Sequence, residues 1–158
     1  MLEVGVSEAP SDFDDWDTLH SLLAKAFAYM DDRIDPPSSL KQMTPDTLAQ
    51  MAAEQHLVIA KDQDQLVGCA FGEHRPGSIY LSKLAVEADF QRRGILKRMI
   101  NVMAALARER GLTALTLGTR VELHENHMAF KALGFEQFGT ASHPGYDRVT
   151  SLSFRKFL

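Results

Sequence analysis

Between Leu57 and Val86 the chain sets out three short apolar runs separated by two turn signals, then passes through QRRGILK (Gln91–Lys97) into a long stretch of helical periodicity. Leu57–Ala60 reads as a strand, Asp62–Gln65 as a turn and Leu66–Glu73 as a second strand, with Gly68 and Gly72 as its weak points. Arg75-Pro76-Gly77 is another turn and Ser78–Val86 a third strand. Links this short join antiparallel neighbours, because a parallel pair needs a crossover of a dozen residues or so. The helix after Gly94 offers such a crossover. Ile95, Met99, Val102, Met103 and Leu106 recur at helical spacing against Lys97, Arg98, Asn101, Arg108 and Glu109, and Gly111 stops the run. Ala114–Leu117 then supplies the next strand.

The flanking segments fit one mixed α/β layer structure. Met1–Val6 is a short strand candidate. Ser11 can cap a helix with Asp12, Asp14 and Asp15 in its first turn, followed by Phe13, Trp16, Leu19, Leu23, Phe27 and Met30. The run from Asp31 to Pro37 breaks that helix, and Thr44-Pro45 starts a second. Glu125–Leu133 is a short helix ended by Gly134, and Phe135–Thr140 and Val149–Phe154 form a last pair of strands. The expectation is a single domain over residues 1–158, and the chain shows no internal repeat.

Composition narrows the function classes. The formal net charge of -4 argues against a general nucleic-acid binder. Cys69 is the only cysteine, so no disulfide closes within the chain, which suits a reducing, cytoplasmic setting. No signal peptide and no membrane span are expected from the apolar pattern.

QRRGILK places two arginines, a glycine and a lysine at the mouth of a helix. A helix start leaves backbone N–H groups without partners and carries about half a positive charge, so it suits an anion. Gly94 removes the Cβ that would block close approach and permits φ > 0. Arg92, Arg93 and Lys97 add charge that can clamp a phosphate. Neither GxGxxG nor GxxxxGK[ST] is present, which disfavours dinucleotide and nucleoside-triphosphate sites. A solvated basic turn before an amphipathic helix is the plain alternative.

The block LAVEADFQRRGILKRMI, with ENHMAFKALGF downstream, resembles the GCN5-related N-acetyltransferases (GNAT) and their Q/R-x-x-G-x-G/A hallmark. Gln91, Arg92, Arg93, Gly94 and Ile95 match, whereas Leu96 stands where the family usually has Gly or Ala. The resemblance implies a mixed, mostly antiparallel central sheet of about seven strands flanked by about four helices. It also implies acetyl-CoA as cosubstrate, with no metal, and transfer of acetyl to a primary amine by direct attack.

By the same resemblance, the pyrophosphate lies on residues 91–97. The pantetheine arm pairs with the backbone of Leu84, Ala85 and Val86, and Asn126 bonds it. The Val86 N–H would meet the thioester oxygen. Phe130 stands where many relatives carry a tyrosine that protonates the departing thiolate. A thiol of pKa about 8.5 leaves tolerably well without help, so an active enzyme is still expected. Tyr146, in the last hairpin loop, is a candidate acid; Glu73, Tyr80 and Glu122 are candidate bases. A non-catalytic acyl-CoA-binding module of the same fold is the alternative, with Phe130 as its sign. The acceptor is a small-molecule or peptide amine, with no nucleic acid or membrane partner, and pairing of two copies through the last strands is left open.

Other constellations carry less. His124 and His127, with His143 as a third ligand, give a weak zinc pattern. Cys69 lies between apolar neighbours, the usual place of a core thiol rather than a nucleophile. Asp31, Asp32 and Asp35 form an acidic cluster able to draw a cationic amine, or simply a solvated helix end.

Overall fold

The computed structural model describes residues 4–158. Its strands are β1 (Gly5–Glu8), β2 (His56–Asp62), β3 (Gln65–Arg75), β4 (Ser78–Val86), β5 (Ala114–Arg120), β6 (Glu136–Ala141) and β7 (Ser151–Phe157). The α-helices are α1 (Trp16–Phe27), α2 (Pro45–Glu54), α3 (Ile95–Glu109) and α4 (His124–Ala132). The strands form one sheet in the order β1-β2-β3-β4-β5-β7-β6. Every neighbouring pair is antiparallel except β4–β5, which is parallel and joined through α3. The expected seven-stranded, mostly antiparallel sheet with four helices is therefore the observed fold. No helix among the described residues is long and apolar enough to cross a membrane.

Two apolar clusters hold the helices to the sheet. On one face, Val58, Ala60, Val67, Ala70, Ile79 and Leu81 pack against Ile95, Met99 and Met103 of α3 and Phe130 of α4. On the other, Leu57, Ile59, Leu66, Cys69 and Phe71 pack against Leu19, Leu22 and Leu23 of α1 and Leu48 of α2. The alternation along β2 serves both faces, as expected of a strand buried on both sides. Gly72 lies directly under Met103 of α3. A Cβ there would lie 2.8 Å from Ile79 Cγ2 and 2.8 Å from Met103 Sδ. Gly72→Val should therefore destabilise by about 1–3 kcal/mol through overpacking. Thermal melting followed by circular dichroism would register this as a drop of several degrees.

The sequence reading placed some boundaries differently. The first strand runs Gly5–Glu8 rather than Met1–Val6, and residues 1–3 lie outside the described residues. Ser11 caps nothing in α1, which begins at Trp16 with Asp15 at its N-cap. The preceding segment is spent on a turn, Phe13 N–H donating to the Pro10 carbonyl at 3.0 Å. Phe13 then meets Trp16 edge-on, with ring centroids 4.9 Å apart. On α3 the buried face runs through Ile95, Met99, Ile100, Met103, Ala104 and Ala107; Val102 and Leu106 are only partly covered. Thr44 behaves as expected. It caps α2 in a reciprocal pair with Thr47, and Pro45 opens the helix.

β4 carries the irregularity on which the site depends. Cys69 pairs with Ala85 and Phe71 with Ser82, so Lys83 and Leu84 together oppose Ala70 in a β-bulge. Lys83 has φ 52°, a left-handed conformation rare for a residue with a side chain. The extra residue reverses the phase of the strand. Ile79 and Leu81 face α3 before the bulge, whereas Leu84 and Val86 face it afterwards and Ala85 turns to α1. Parallel pairing of β4 with β5 covers only Ser78–Leu81 against Ala114–Leu117. Beyond Leu81 the two strands part, and residues Ser82–Val86 have no strand on that side.

Candidate active site

The parting of β4 and β5 opens a cleft of about 730 Å³. Leu84, Ala85 and Val86 form one wall and Asn126, Ala129, Phe130 and Leu133 of α4 another. The end of α1 contributes Ala26, Phe27 and Tyr29, and the loop into α3 closes the floor with Gln91, Arg92, Gly94, Ile95, Leu96 and Lys97. The strand wall presents main-chain amides, because the splay leaves its hydrogen-bonding edge unpaired. Such an edge accepts an extended chain of amides as a further strand.

The floor offers the donors and charge that an anion needs. Arg92 has φ 64° and Gly94 φ 78°, so the chain turns twice through left-handed conformations before α3. The first main-chain bond at the helix start is Arg98 N–H to the Gly94 carbonyl, at 3.0 Å. No side chain caps this end, leaving the leading N–H groups of α3 open at the cleft. Gln91 Nε2 donates to the Val86 carbonyl at 3.2 Å and fastens the loop to the end of β4. The cations divide their work. The Arg93 guanidinium stacks on the Phe90 ring at 4.9 Å and does not line the cleft. Arg98 turns away to the Val4 carbonyl. Arg92 and Lys97 line the cleft, and among the described residues neither forms an ion pair. Leu96, the departure from the expected small residue, is half-buried against the α3-side core. Its side chain thus has a place to go while its amide stays at the helix start.

On α4 no side chain caps the N-terminus, so Asn126 is not a capping residue. It lines the cleft, where its amide can serve a ligand. Phe130 is buried, meets Phe135 in a T-shaped contact at 5.8 Å and turns part of its ring to the cleft. No hydroxyl stands at that position.

The candidate acid and bases lie elsewhere. Glu73 and Tyr80 are paired neighbours on β3 and β4. Arg75 ties them together, giving Nε to Glu73 at 2.9 Å and stacking on the Tyr80 ring at 3.7 Å. Neither lines the cleft. Tyr146 donates its O–H to Asp35 Oδ1 at 2.6 Å, which pushes its pKa up and keeps the phenol protonated. It belongs to a network, missed by the sequence reading, that fastens the α1–α2 connection across the splay. Arg33 Nη2 donates to Glu125 Oε2 at 2.9 Å and Arg148 Nη2 to the Asp35 carbonyl at 2.9 Å. Arg120 Nη2 donates to the Pro37 carbonyl and Lys83 Nζ to Ser39 Oγ, each at 3.2 Å.

Glu125 is held down to a pKa of about 2, first by the hydrogen bond from Arg33. A depressed carboxylate favours the folded contact above its ordinary value near 4.5 and loses that contribution as pH falls toward 2. Arg33→Met should raise the Glu125 pKa from about 2 toward the ordinary carboxylate range in a side-chain NMR titration, stopping short of it because a main-chain hydrogen bond still favours the carboxylate. A Glu125 that still titrates near 2 would show that Arg33 is not the cause.

Three further sets of residues have identifiable surroundings. The Cys69 thiol is fully buried and pushed up to about 12, so it supplies no thiolate nucleophile. His127 is bound to the Arg120 carbonyl at 2.9 Å and His143 to Thr150, and among the described residues no group of three His, Cys, Asp or Glu can hold a metal ion. Of the acidic cluster, Asp35 serves Tyr146 and Arg148 and Asp31 pairs with Lys41 at 3.6 Å, while Asp32 forms no ion pair among the described residues.

The sequence model of the acetyltransferase (GNAT) family matches residues 16–135, most of the chain and all of this cleft. The chain belongs to the GNAT family. A search of curated proteins with the sequence found no match. Among solved structures, a GNAT fold recurs in the PaiA N-acetyltransferase from Thermoplasma acidophilum in complex with coenzyme A. That match has 11% identity and a TM-score of 0.83, covering 99% of this chain and 100% of that one. An aminoglycoside 6'-N-acetyltransferase complexed with coenzyme A matches at 19% identity and TM-score 0.76, covering 97% and 96%. The ribosomal-protein-S18-alanine N-acetyltransferase from Escherichia coli matches at 16% and 0.69, covering 98% and 94%. At these identities the likeness shows the GNAT fold, and the two names that specify an acceptor specify different ones, an aminoglycoside and the alanine of a ribosomal protein.

Proposed function

We propose that this chain is a single-domain, cytoplasmic, acetyl-CoA-dependent N-acetyltransferase that acylates a primary amine by direct attack. The observation that carries the reading is one continuous cleft joining the unpaired edge of β4 to the uncapped start of α3, with Arg92 and Lys97 beside it. An extended amide arm ending in a diphosphate has the matching shape and charge. Bound there, acetyl-CoA supplies an activated acetyl thioester. The amides of Leu84 to Val86 align the arm, and those of Gly94 to Lys97, with Arg92, hold the phosphates. Asn126 bonds the arm from α4.

The amine must shed a proton before its nitrogen forms the C–N bond, and the sulfur needs one as the C–S bond breaks. The Val86 N–H meets the developing oxyanion. Tyr146, kept protonated by its bond to Asp35, is the proposed acid and Glu73 and Tyr80 the proposed bases, each acting through water, since none of the three lines the cleft. Phe130 favours a second reading, an acyl-CoA-binding module without turnover. Thiol release from acetyl-CoA across a panel of amines, with calorimetric CoA binding in parallel, decides between them. CoA binding with turnover supports the enzyme, binding without turnover supports the module, and no binding removes both.

A further inference from the structure

The network across the splay leaves two buried atoms of opposite polarity unsatisfied. Arg120, at the end of β5, uses Nη2 on Pro37, while its Nη1 is buried without a hydrogen-bond partner. Two residues on, Glu122 accepts the Asp35 N–H on Oε2 at 3.2 Å, and its Oε1 is buried and equally unpartnered. Lys83, on the bulge of β4, is brought to the same place by the α1–α2 connection, donating Nζ to Ser39 Oγ two residues beyond the Pro37 carbonyl that Arg120 holds. Among the described residues neither cation forms an ion pair. The neighbouring carboxylates Asp35 and Glu125 are taken by Arg148 and Arg33. Native interiors seldom leave a buried charged donor and a buried carboxylate oxygen unmet, because each loses its hydration without replacement. Burial, then the nearby Arg120, lowers the Lys83 pKa, as expected of a cation lacking a counter-ion.

We propose that the acceptor is an amine bearing its own carboxylate, as a free amino acid does, with the carboxylate between Arg120 and Lys83 and the amino group on Glu122 Oε1. This rests on the acetyltransferase reading and narrows its substrate class. One free guanidinium N–H and one ammonium match the two oxygens of a carboxylate. A phosphate would bring a second negative charge toward Asp35 and Glu122, which already lie within Coulombic range of Arg120. A polycationic amine would be repelled by Lys83 and Arg120. Ser39, Pro37 and Asp35 of the α1–α2 connection cover the same residues, which confines the acceptor to a small molecule.

The test uses amino acids paired with their carboxamides, in two readouts. One is thiol release from acetyl-CoA. The other is calorimetric binding to the full chain saturated with CoA, which cannot react. Each accepted acid should exceed its amide by about 10-fold or more in both, the loss expected when a charge-assisted bond is removed. Arg120→Gln and Lys83→Met should each bring the acid-to-amide ratio toward one. Should either fail to fold, Arg120→Lys and Lys83→Arg should shrink the ratio while keeping it above one. Equal behaviour of acids and amides in the wild type would overturn the inference. If CoA binds but no amine reacts, the acetyltransferase reading fails, and the binding arm still decides. Preference for acids then upholds the carboxylate site, and its absence refutes it.

Discussion

Replacing Gly94 with valine should weaken coenzyme A binding by at least about 10²-fold while leaving the fold intact. Gly94 has φ 78°, and a Cβ placed there meets nothing within 4 Å. The penalty is therefore one of backbone conformation: a β-branched residue resists the left-handed region by about 1–2 kcal/mol. The loop relieves that strain by turning its amides out of register with the diphosphate. Losing two charge-assisted bonds of about 1.5–3 kcal/mol each gives the stated factor. Global stability should move little, because the loop is exposed and its anchor to Val86 comes from Gln91. Titration calorimetry with CoA, beside a thermal melt, reads both quantities. Gly94→Ala should fall between. An unchanged dissociation constant for the valine variant would remove the cradle from the account.

The second large effect is on stability. Phe154 is fully buried on β7, paired with Leu117 on one side and Gln137 on the other. Its ring lies 5.9 Å from that of His127 and 6.5 Å from that of Phe130, so it is the seat on which α4 rests. Phe154→Ala should cost about 3–5 kcal/mol, since the sheet on both sides prevents collapse into the void. At this chain length that corresponds to a fall in Tm of about 10–15 °C. Urea unfolding should show a lower midpoint at an unchanged slope. CoA affinity should also decline, by less than for the Gly94 variant, because Asn126 rides on the loosened helix. A loss below about 1 kcal/mol would mean that the site repacks and the seat lies elsewhere.

The central strands were readable because turn residues bracket each of them and because their apolar runs are too short for helices. The loop before α3 stood out as a candidate because its features are local: a glycine and cations at a helix start. The onset of α1 was not, since Ser11 is a good cap in isolation and only the turn onto Pro10 displaces it. The bulge did leave a trace. Apolar residues fall on odd positions at Ile79 and Leu81 and on even ones at Leu84 and Val86, and such a change of phase calls for an extra residue between them. What no spacing could reveal is the meeting of Lys83, Arg120, Glu122, Asp35, Tyr146 and Arg148. They come from four separate segments, and their convergence depends on how the α1–α2 connection lies across the splay. Sequence patterning reports periodic faces, not the path of an irregular loop.

The short seam between β4 and β5 has a mechanical corollary. Ser78–Leu81 and Ala114–Leu117, with the Thr113 N–H donating to the Gly77 carbonyl beside them, stitch the two halves of the sheet together by main-chain bonds, and past Leu81 the halves diverge like the arms of a bracket. A guest whose amides run along the open arm of β4 while its charged end sits on α3 and its flank touches α4 spans that gap. On the proposed reading, occupancy acts as a missing strand, which makes the donor as much a structural member of the protein as its cargo.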